Sequence, residues 1–192
     1  MKEKGAIRTF ICLELPEDIQ TAIDKIVARP LKQTGVKCSW VKPGNIHLTL
    51  KFLGDVSQSS LPKIAEALKE VVIGHQANTL SLSQIGTFGG RNPRVVWVGL
   101  DGELGPLQEL AKSVDKAMGE CGFEREKRRF SPHLTIARIR KSKNTDKLLE
   151  KIKEIDLPKI SFILDTLILM KSELSPSGSI YTPLEEFKLS KG

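Results

Sequence analysis

The chain has 192 residues with 30 Lys+Arg against 23 Asp+Glu, a formal charge of +7 and a pI near 9.3; 40% of residues are apolar and 5% aromatic. This composition excludes a mainly disordered chain, and the length fits one large domain or two small lobes. No apolar run approaches the roughly 20 residues that span a bilayer; the short N-terminal apolar run soon meets Glu14, Pro16, Glu17 and Asp18, which is no signal peptide; and three scattered cysteines without a C-x-x-C argue against a disulfide framework or zinc ribbon and for a reducing, cytoplasmic setting.

In chain order, residues 6–15 are β-rich and stop at Pro16, which predicts a strand. After Pro16, residues Ile19, Ile23, Ile26 and Val27 share a helical face, and this helix should end near Arg29-Pro30 or at Gly35. A short strand around 37–41, a turn over Lys42-Pro-Gly-Asn45 and a strand over 46–53 follow. Residues 57–73 read as a helix with Leu61, Ile64, Ala65, Leu68 and Val72 on its stripe, and 79–88 as a strand. Then come a strand at 94–100, a helix at 103–119 (Leu104, Leu107, Ala111, Val114, Met118), a strand at 133–139 and a helix at 144–155. One long strand within 159–174 and a last strand at 179–187 complete the chain.

The order of elements repeats. A constant shift of 86 carries His47 onto His133, Arg8–Leu13 onto Arg94–Gly99, and residues 79–88 onto 165–174. Self-similarity of this length implies two related lobes rather than a solenoid. The expected architecture is therefore α+β, one bilobal domain over residues 1–192, with repeats at about 7–88 and 93–174 and a sheet with helices in each lobe.

The chemistry sits on Ile46-His47-Leu48-Thr49-Leu50 and Pro132-His133-Leu134-Thr135-Ile136. Alternation along a strand turns Leu48 and Leu50 to the core and His47 and Thr49 together to the other face; Leu134, Ile136, His133 and Thr135 repeat this. If a pseudo-two-fold relates the lobes, two imidazoles and two hydroxyls meet in one cleft. A neutral imidazole takes a proton from a nucleophile, a protonated one gives a proton to a leaving oxygen, and the hydroxyls donate to non-bridging oxygens. That arrangement suits in-line displacement at phosphorus without a metal. Two histidines alone are also a possible start of a zinc site, but no carboxylate or H-E-x-x-H supplies the third ligand expected of a catalytic zinc. The third histidine, His75, reads as a surface loop residue.

The paired motifs resemble the H-x-T-x motifs of the 2H phosphoesterase superfamily. The stretches HLTLKFLGDV, GTFGGRNPRVVWVGL and FSPHLTIAR are similar to its RNA 2′,3′-cyclic phosphodiesterase branch, once named 2′-5′ RNA ligase, and the likeness runs from Ile7 to about Phe187. The resemblance implies a bilobal 2H phosphoesterase fold with a central cleft, no cofactor and no metal, and hydrolysis of 2′,3′-cyclic phosphate ends of RNA, or of small cyclic nucleotides, to 2′-phosphates by a monomer. By the family pattern His47 is the proton donor, His133 the proton acceptor, and Thr49 and Thr135 hold the phosphate oxygens; the motifs are too alike for spacing alone to assign the two proton roles. The resemblance also implies a substrate-contacting arginine at Arg138. Five residues from His133 is an odd number, so strict alternation turns Arg138 to the core unless the strand ends or bulges near Ala137.

Residues 124–143 hold eight basic and two acidic residues, a net +6. Of these, Arg125, Lys127, Arg128 and Arg129 would guide an RNA backbone toward the second motif; a solvated loop accounts for the same charge. Gly86–Arg91 is glycine-rich but lacks the phosphate-loop pattern and reads as a loop between strands. Trp40, Trp97 and Phe52 have rings able to stack on bases, but the apolar strand around Trp97 and the odd spacing of Phe52 from His47 place both in the core. RNA end-joining and non-catalytic RNA binding through the basic stretch are the competing functions.

Overall fold

The computed structural model describes residues 5–90, 92–140, 145–176 and 178–191. Its elements are β1 (Ile7–Glu14), α1 (Glu17–Ile23), a π-helical turn (Asp24–Ala28), α2 (Arg29–Lys32), β2 (Cys38–Trp40), β3 (His47–Val56), α3 (Leu61–Ile73), β4 (Asn78–Phe88), β5 (Val95–Gly102), α4 (Leu104–Glu120), β6 (His133–Ile139), α5 (Thr145–Glu154), β7 (Ser161–Leu164), β8 (Thr166–Ser175) and β9 (Gly178–Lys188). The expected stripes are buried, with Leu110 added on α4 and Ile26, Leu61, Val72 and Leu104 only partly covered. The first helix runs past Pro30 and stops ahead of Gly35, the later of its two expected ends, because the π turn ahead of Pro30 absorbs the ring and the missing N–H: the Arg29 N–H reaches back to the Asp24 carbonyl. One boundary differs from expectation. The long strand after Lys159 is two strands, broken at Asp165.

All nine strands form one antiparallel sheet in the order β7-β4-β5-β6-β3-β1-β8-β9, with β2 also on β6. The order is symmetric about the β6–β3 joint, and the sheets of the two lobes meet there edge to edge. The lobes are not the two sequence halves. β4, from the first half, lies beside β5, and β8, from the second, lies beside β1. The first half lends β4 to the other lobe, and the second half lends β8 and β9.

The joint rests on one residue pair, Leu48 opposite Leu134. These two are 86 apart, so each leucine faces its own equivalent and the pseudo-two-fold passes between them. Away from this pair the constant shift of 86 is not kept. His47 pairs with Glu14 and His133 with Gly99, an offset of 85 (99 − 14) between β1 and β5. Cys12 pairs with Ile168 and Trp97 with Gly86, an offset of 82 (168 − 86) between β4 and β8.

One face of the sheet carries the main core, built from Ile11, Leu13, Leu48, Val96, Val98 and Leu134 under the helical residues Ile19, Ile23, Ile64, Leu68, Leu107 and Val114. The other face carries a small cluster of Phe10, Cys12 and Ile168 with Met170 and Tyr181 packed on it.

Both motif strands bulge, at equivalent places. On β3, Thr49 pairs with Cys12 but Lys51 with Ile11, leaving Leu50 unpaired; on β6, Thr135 pairs with Trp97 but Ala137 with Val96, leaving Ile136 unpaired. A bulge inserts one residue and reverses the parity of everything after it. Lys51 therefore turns into the core, where its Nζ donates to Asp115 Oδ1 on α4 (2.6 Å) and to the Glu124 carbonyl (2.8 Å). Phe52 turns outward, opposite Phe10, and is 62% exposed rather than buried in the core. Arg138 turns outward by the same rule, opposite Val95.

Two predictions follow from this register. Leu48→Ala should lower stability by about 2–5 kcal/mol, whereas Phe52→Ala should cost under about 1 kcal/mol in urea unfolding; comparable losses would contradict the bulge. Burial would raise the Asp115 carboxyl, but hydrogen bonds from Lys51, Arg125 and the Glu126 N–H outweigh it and hold the group at about 2, below its ordinary 3.8. The stability this supplies is present above about pH 4 and fades as pH falls through about 2. Asp115→Asn should lose about 2 kcal/mol at neutral pH, and the difference from the parent chain should shrink toward pH 2 in acid unfolding.

Candidate active site

The approach to His47 is fixed by a tight turn. The Asn45 N–H donates to the Lys42 carbonyl at 3.0 Å, with Pro43 at the second place and Gly44 at the third with φ +88°, as a type II turn requires. Gln20, buried on α1, braces the turn: its side-chain oxygen accepts from the N–H groups of Gly44 (2.9 Å) and Ile46 (3.1 Å), and its amide donates to the Leu15 carbonyl (3.0 Å). The turn delivers His47 with its Nδ1 2.8 Å from the Asn45 carbonyl. His133 repeats this, its Nδ1 2.8 Å from the Ser131 carbonyl. A carbonyl only accepts, so Nδ1 carries the proton in both rings and Nε2 is the atom of each that exchanges a proton.

Leu48 and Leu134 both point into the core, so His47, Thr49, His133 and Thr135 all lie on the opposite face, around the pseudo-two-fold. All four are half-buried. The antiparallel register brings His47 toward the Thr135 end and Thr49 toward the His133 end. Residues directly opposite on neighbouring strands share a face, which adds Glu14 (beside His47), Trp97 (beside Thr135) and Arg138 to this surface.

Aromatic rings wall both histidines. Phe10 lies 4.8 Å from His47, and Tyr181 stands edge-on to it at 5.2 Å. Phe88 stands edge-on to His133 at 4.8 Å and packs on Trp97 at 5.3 Å. Trp97 is thus not in the main core, as its apolar strand suggested, but half-buried beneath the His133 side. It lies over Gly86, where a Cβ would come within 2.3 Å of the indole. The glycine is required by this contact, and the segment expected to be a loop continues as β4 to Phe88. Trp40 packs against the core, with Lys32 Nζ 5.7 Å above its ring.

Burial is the main influence on His47 and lowers its pKa below the ordinary 6.5; the Asn45 carbonyl raises it, and the Arg138 guanidinium lowers it again, leaving it low. Arg138 is exposed on the cleft face and acts on the histidine of the other motif. The basic segment is largely engaged elsewhere. Arg125 pairs with Asp115, Lys127 with Glu124 (3.1 Å), Arg129 reaches Gln108 (3.5 Å), and Arg140 donates to Ser39. Arg128 is exposed, and Arg91, Lys141 and Lys143 lie outside the described residues. His75 is not a free loop residue: it is half-buried, with Nε2 2.9 Å from Ser113 Oγ on α4. Among the described residues, no three His, Cys, Asp or Glu side chains converge to hold a metal, and no helix is long and apolar enough to cross a membrane.

Sequence reasoning missed Gln20, Asn45, Phe10, Phe88 and Tyr181. Only Asn45 left a readable trace, since it and Ser131 stand two residues before the two histidines.

Known proteins share this fold. Residues 15–176 match the family model described as the 2′-5′ RNA ligase superfamily. The chain is 34% identical over 185 residues to an RNA 2′,3′-cyclic phosphodiesterase of Methanothermobacter thermautotrophicus, covering 95% of this chain and 99% of that one. It is 35% identical over 188 residues to a protein of the same description from Methanocaldococcus jannaschii, covering 94% and 100%. Among solved structures, E. coli LigT complexed with 3′-AMP superposes with a TM-score of 0.77 at 25% identity, covering 97% of this chain and 99% of that one. The TT0787 protein of Thermus thermophilus gives 0.78 at 25% identity, covering 96% and 99%. With the bilobal fold, the doubled motif and these relatives together, the chain belongs to the 2H phosphoesterase superfamily and, within it, to the RNA 2′,3′-cyclic phosphodiesterase family of hydrolases.

Proposed function

We propose that the protein hydrolyses 2′,3′-cyclic phosphate ends of RNA to 2′-phosphates by paired imidazole acid–base catalysis, with no metal in the reacting group. The observation that carries this reading is the matched pair of histidines on one sheet face, each with Nδ1 committed to a carbonyl and Nε2 left to exchange protons. That E. coli LigT is known in complex with 3′-AMP supports a nucleotide monophosphate as the kind of group this family takes.

In this reaction His133 Nε2 takes a proton from water as the water oxygen bonds to phosphorus. The bond from phosphorus to the ribose O3′ breaks, and His47 Nε2–H gives O3′ its proton. The products are a 2′-phosphate and a 3′-hydroxyl. Afterwards His133 carries a proton and His47 lacks one, and exchange with solvent resets both. Thr49 and Thr135 donate to the non-bridging oxygens, and the planar fork of Arg138 adds a charged contact.

The donor role asks a buried, easily neutralised imidazole to be protonated when substrate is bound. A phosphate anion supplies what is needed: it attracts the proton directly and offsets the guanidinium that disfavours it. Substrate binding thus raises the protonated fraction of His47.

The purified protein should hydrolyse nucleoside 2′,3′-cyclic phosphates in EDTA and give the 2′-isomer by ³¹P NMR. His47→Ala and His133→Ala should each lower kcat by about 10²–10⁴-fold or more with the melting temperature kept. Near-normal turnover in either variant refutes paired catalysis. Joined RNA from ends bearing cyclic phosphate and 5′-hydroxyl, in place of hydrolysed ends, would favour ligation.

A further inference from the structure

The two motifs match in backbone but not in what covers them. Asn45 and Ser131 each lend a carbonyl to the histidine that follows. Asn45 also donates from its side-chain Nδ2 to the Ser179 carbonyl at 3.0 Å, joining segments 134 residues apart. Ser179 lies near the start of β9. Two residues on, Tyr181 meets both His47 (5.2 Å, 85°) and Phe10 (5.1 Å, 73°) edge-on. His47 is therefore held between Phe10 and a hairpin strand that its own turn ties down.

On the His133 side Phe88 supplies one edge-on ring at 4.8 Å, but no second ring and no hairpin strand covers that histidine among the described residues. β9 is 11 residues long and pairs β8 from Thr166 to Ser175. β7 takes the equivalent place beside β4 but has 4 residues and pairs only Asn78–Ser81, far short of Phe88. The long hairpin is thus the main structural difference between the two halves of a near-symmetric site.

We propose that the β8–β9 hairpin, fastened by Asn45 and carrying Tyr181, makes two otherwise matched imidazoles chemically unequal, with Asn45 and Tyr181 as positioning residues for the reaction proposed above. The consequence for turnover rests on that reading; the cover itself acts in the free protein. Excluding water from one ring disfavours its charged form relative to the other. The groups that face or flank His47 are Glu14 on β1, Tyr181 on β9, and Arg138 and His133 on β6, besides the Asn45 carbonyl. None of the three substitutions below changes a charge among them.

The test is an NMR titration of the histidine Cε1–H signals in the intact protein, in Asn45→Ala, Tyr181→Leu and Tyr181→Phe. Loosening the hairpin admits water, so the His47 midpoint should rise toward the ordinary 6.5 in Asn45→Ala and Tyr181→Leu. The His133 midpoint should stay put, and Tyr181→Phe, which keeps the ring edge, should titrate like the parent. In turnover of a cyclic nucleotide, one limb of the pH–rate curve should move with His47 and the other should not. An unmoved His47 midpoint in Asn45→Ala and Tyr181→Leu overturns the inference, as do equal shifts in both histidines. If Tyr181→Leu fails to fold, Asn45→Ala, which keeps the backbone carbonyl, decides alone. A His47 midpoint that responds in a protein without turnover sustains the cover and refutes the cyclic phosphodiesterase reading.

Discussion

The pairing of Leu48 with Leu134 holds the centre of the molecule, and the rest of the structure is arranged around it. It is the joint between two sets of four strands, the point where the pseudo-two-fold crosses the sheet, and the floor beneath the site. Because both leucines face the helices, their neighbours on either side must face the cleft. Two buried apolar side chains thereby orient two imidazoles and two hydroxyls. A slip of either strand by one residue would turn that strand's histidine and threonine into the core. The main core under these strands fixes the register, and the site inherits its geometry from that packing.

The bulges at Leu50 and Ile136 give this symmetric frame its working parts. By reversing parity they place a residue on the cleft face five positions after each histidine, where an unbroken strand would bury it. On one strand that residue is Arg138, on the other Phe52. The same insertion sends Lys51 inward to bind Asp115 and the Glu124 carbonyl, which fastens the segment leading toward His133 onto α4. Each bulge therefore serves both the cleft and the core. The matched motifs end in unlike groups, a guanidinium and a phenyl ring.

The motif was legible because it is local and doubled: period-two alternation in five residues is enough to assign faces, and a second copy removes the ambiguity of the first. The helices were legible from their stripes. The exchange of β4 and β8 between lobes was not, since element order says which strands exist and not which edge each one joins. Nor were the bulges, because Leu50 and Ile136 are apolar residues in apolar strands and carry no glycine or proline to mark a change of parity. Phe52 was misassigned for this reason, whereas the objection to Arg138 stated the condition under which it fails. Charge counting along residues 124–143 overstated the free cations, because Asp115, Gln108 and Ser39 come from other parts of the chain.

The central claim is that the two Nε2 atoms face a phosphate from opposite sides. A crystal structure with a nucleoside vanadate, which mimics five-coordinate phosphorus, tests this most directly. The account predicts apical oxygens within hydrogen-bond reach of His47 Nε2 and His133 Nε2, and equatorial oxygens on Thr49, Thr135 and Arg138. Vanadate bound away from the Leu48–Leu134 joint, or both histidines on one side of the metal centre, would contradict it.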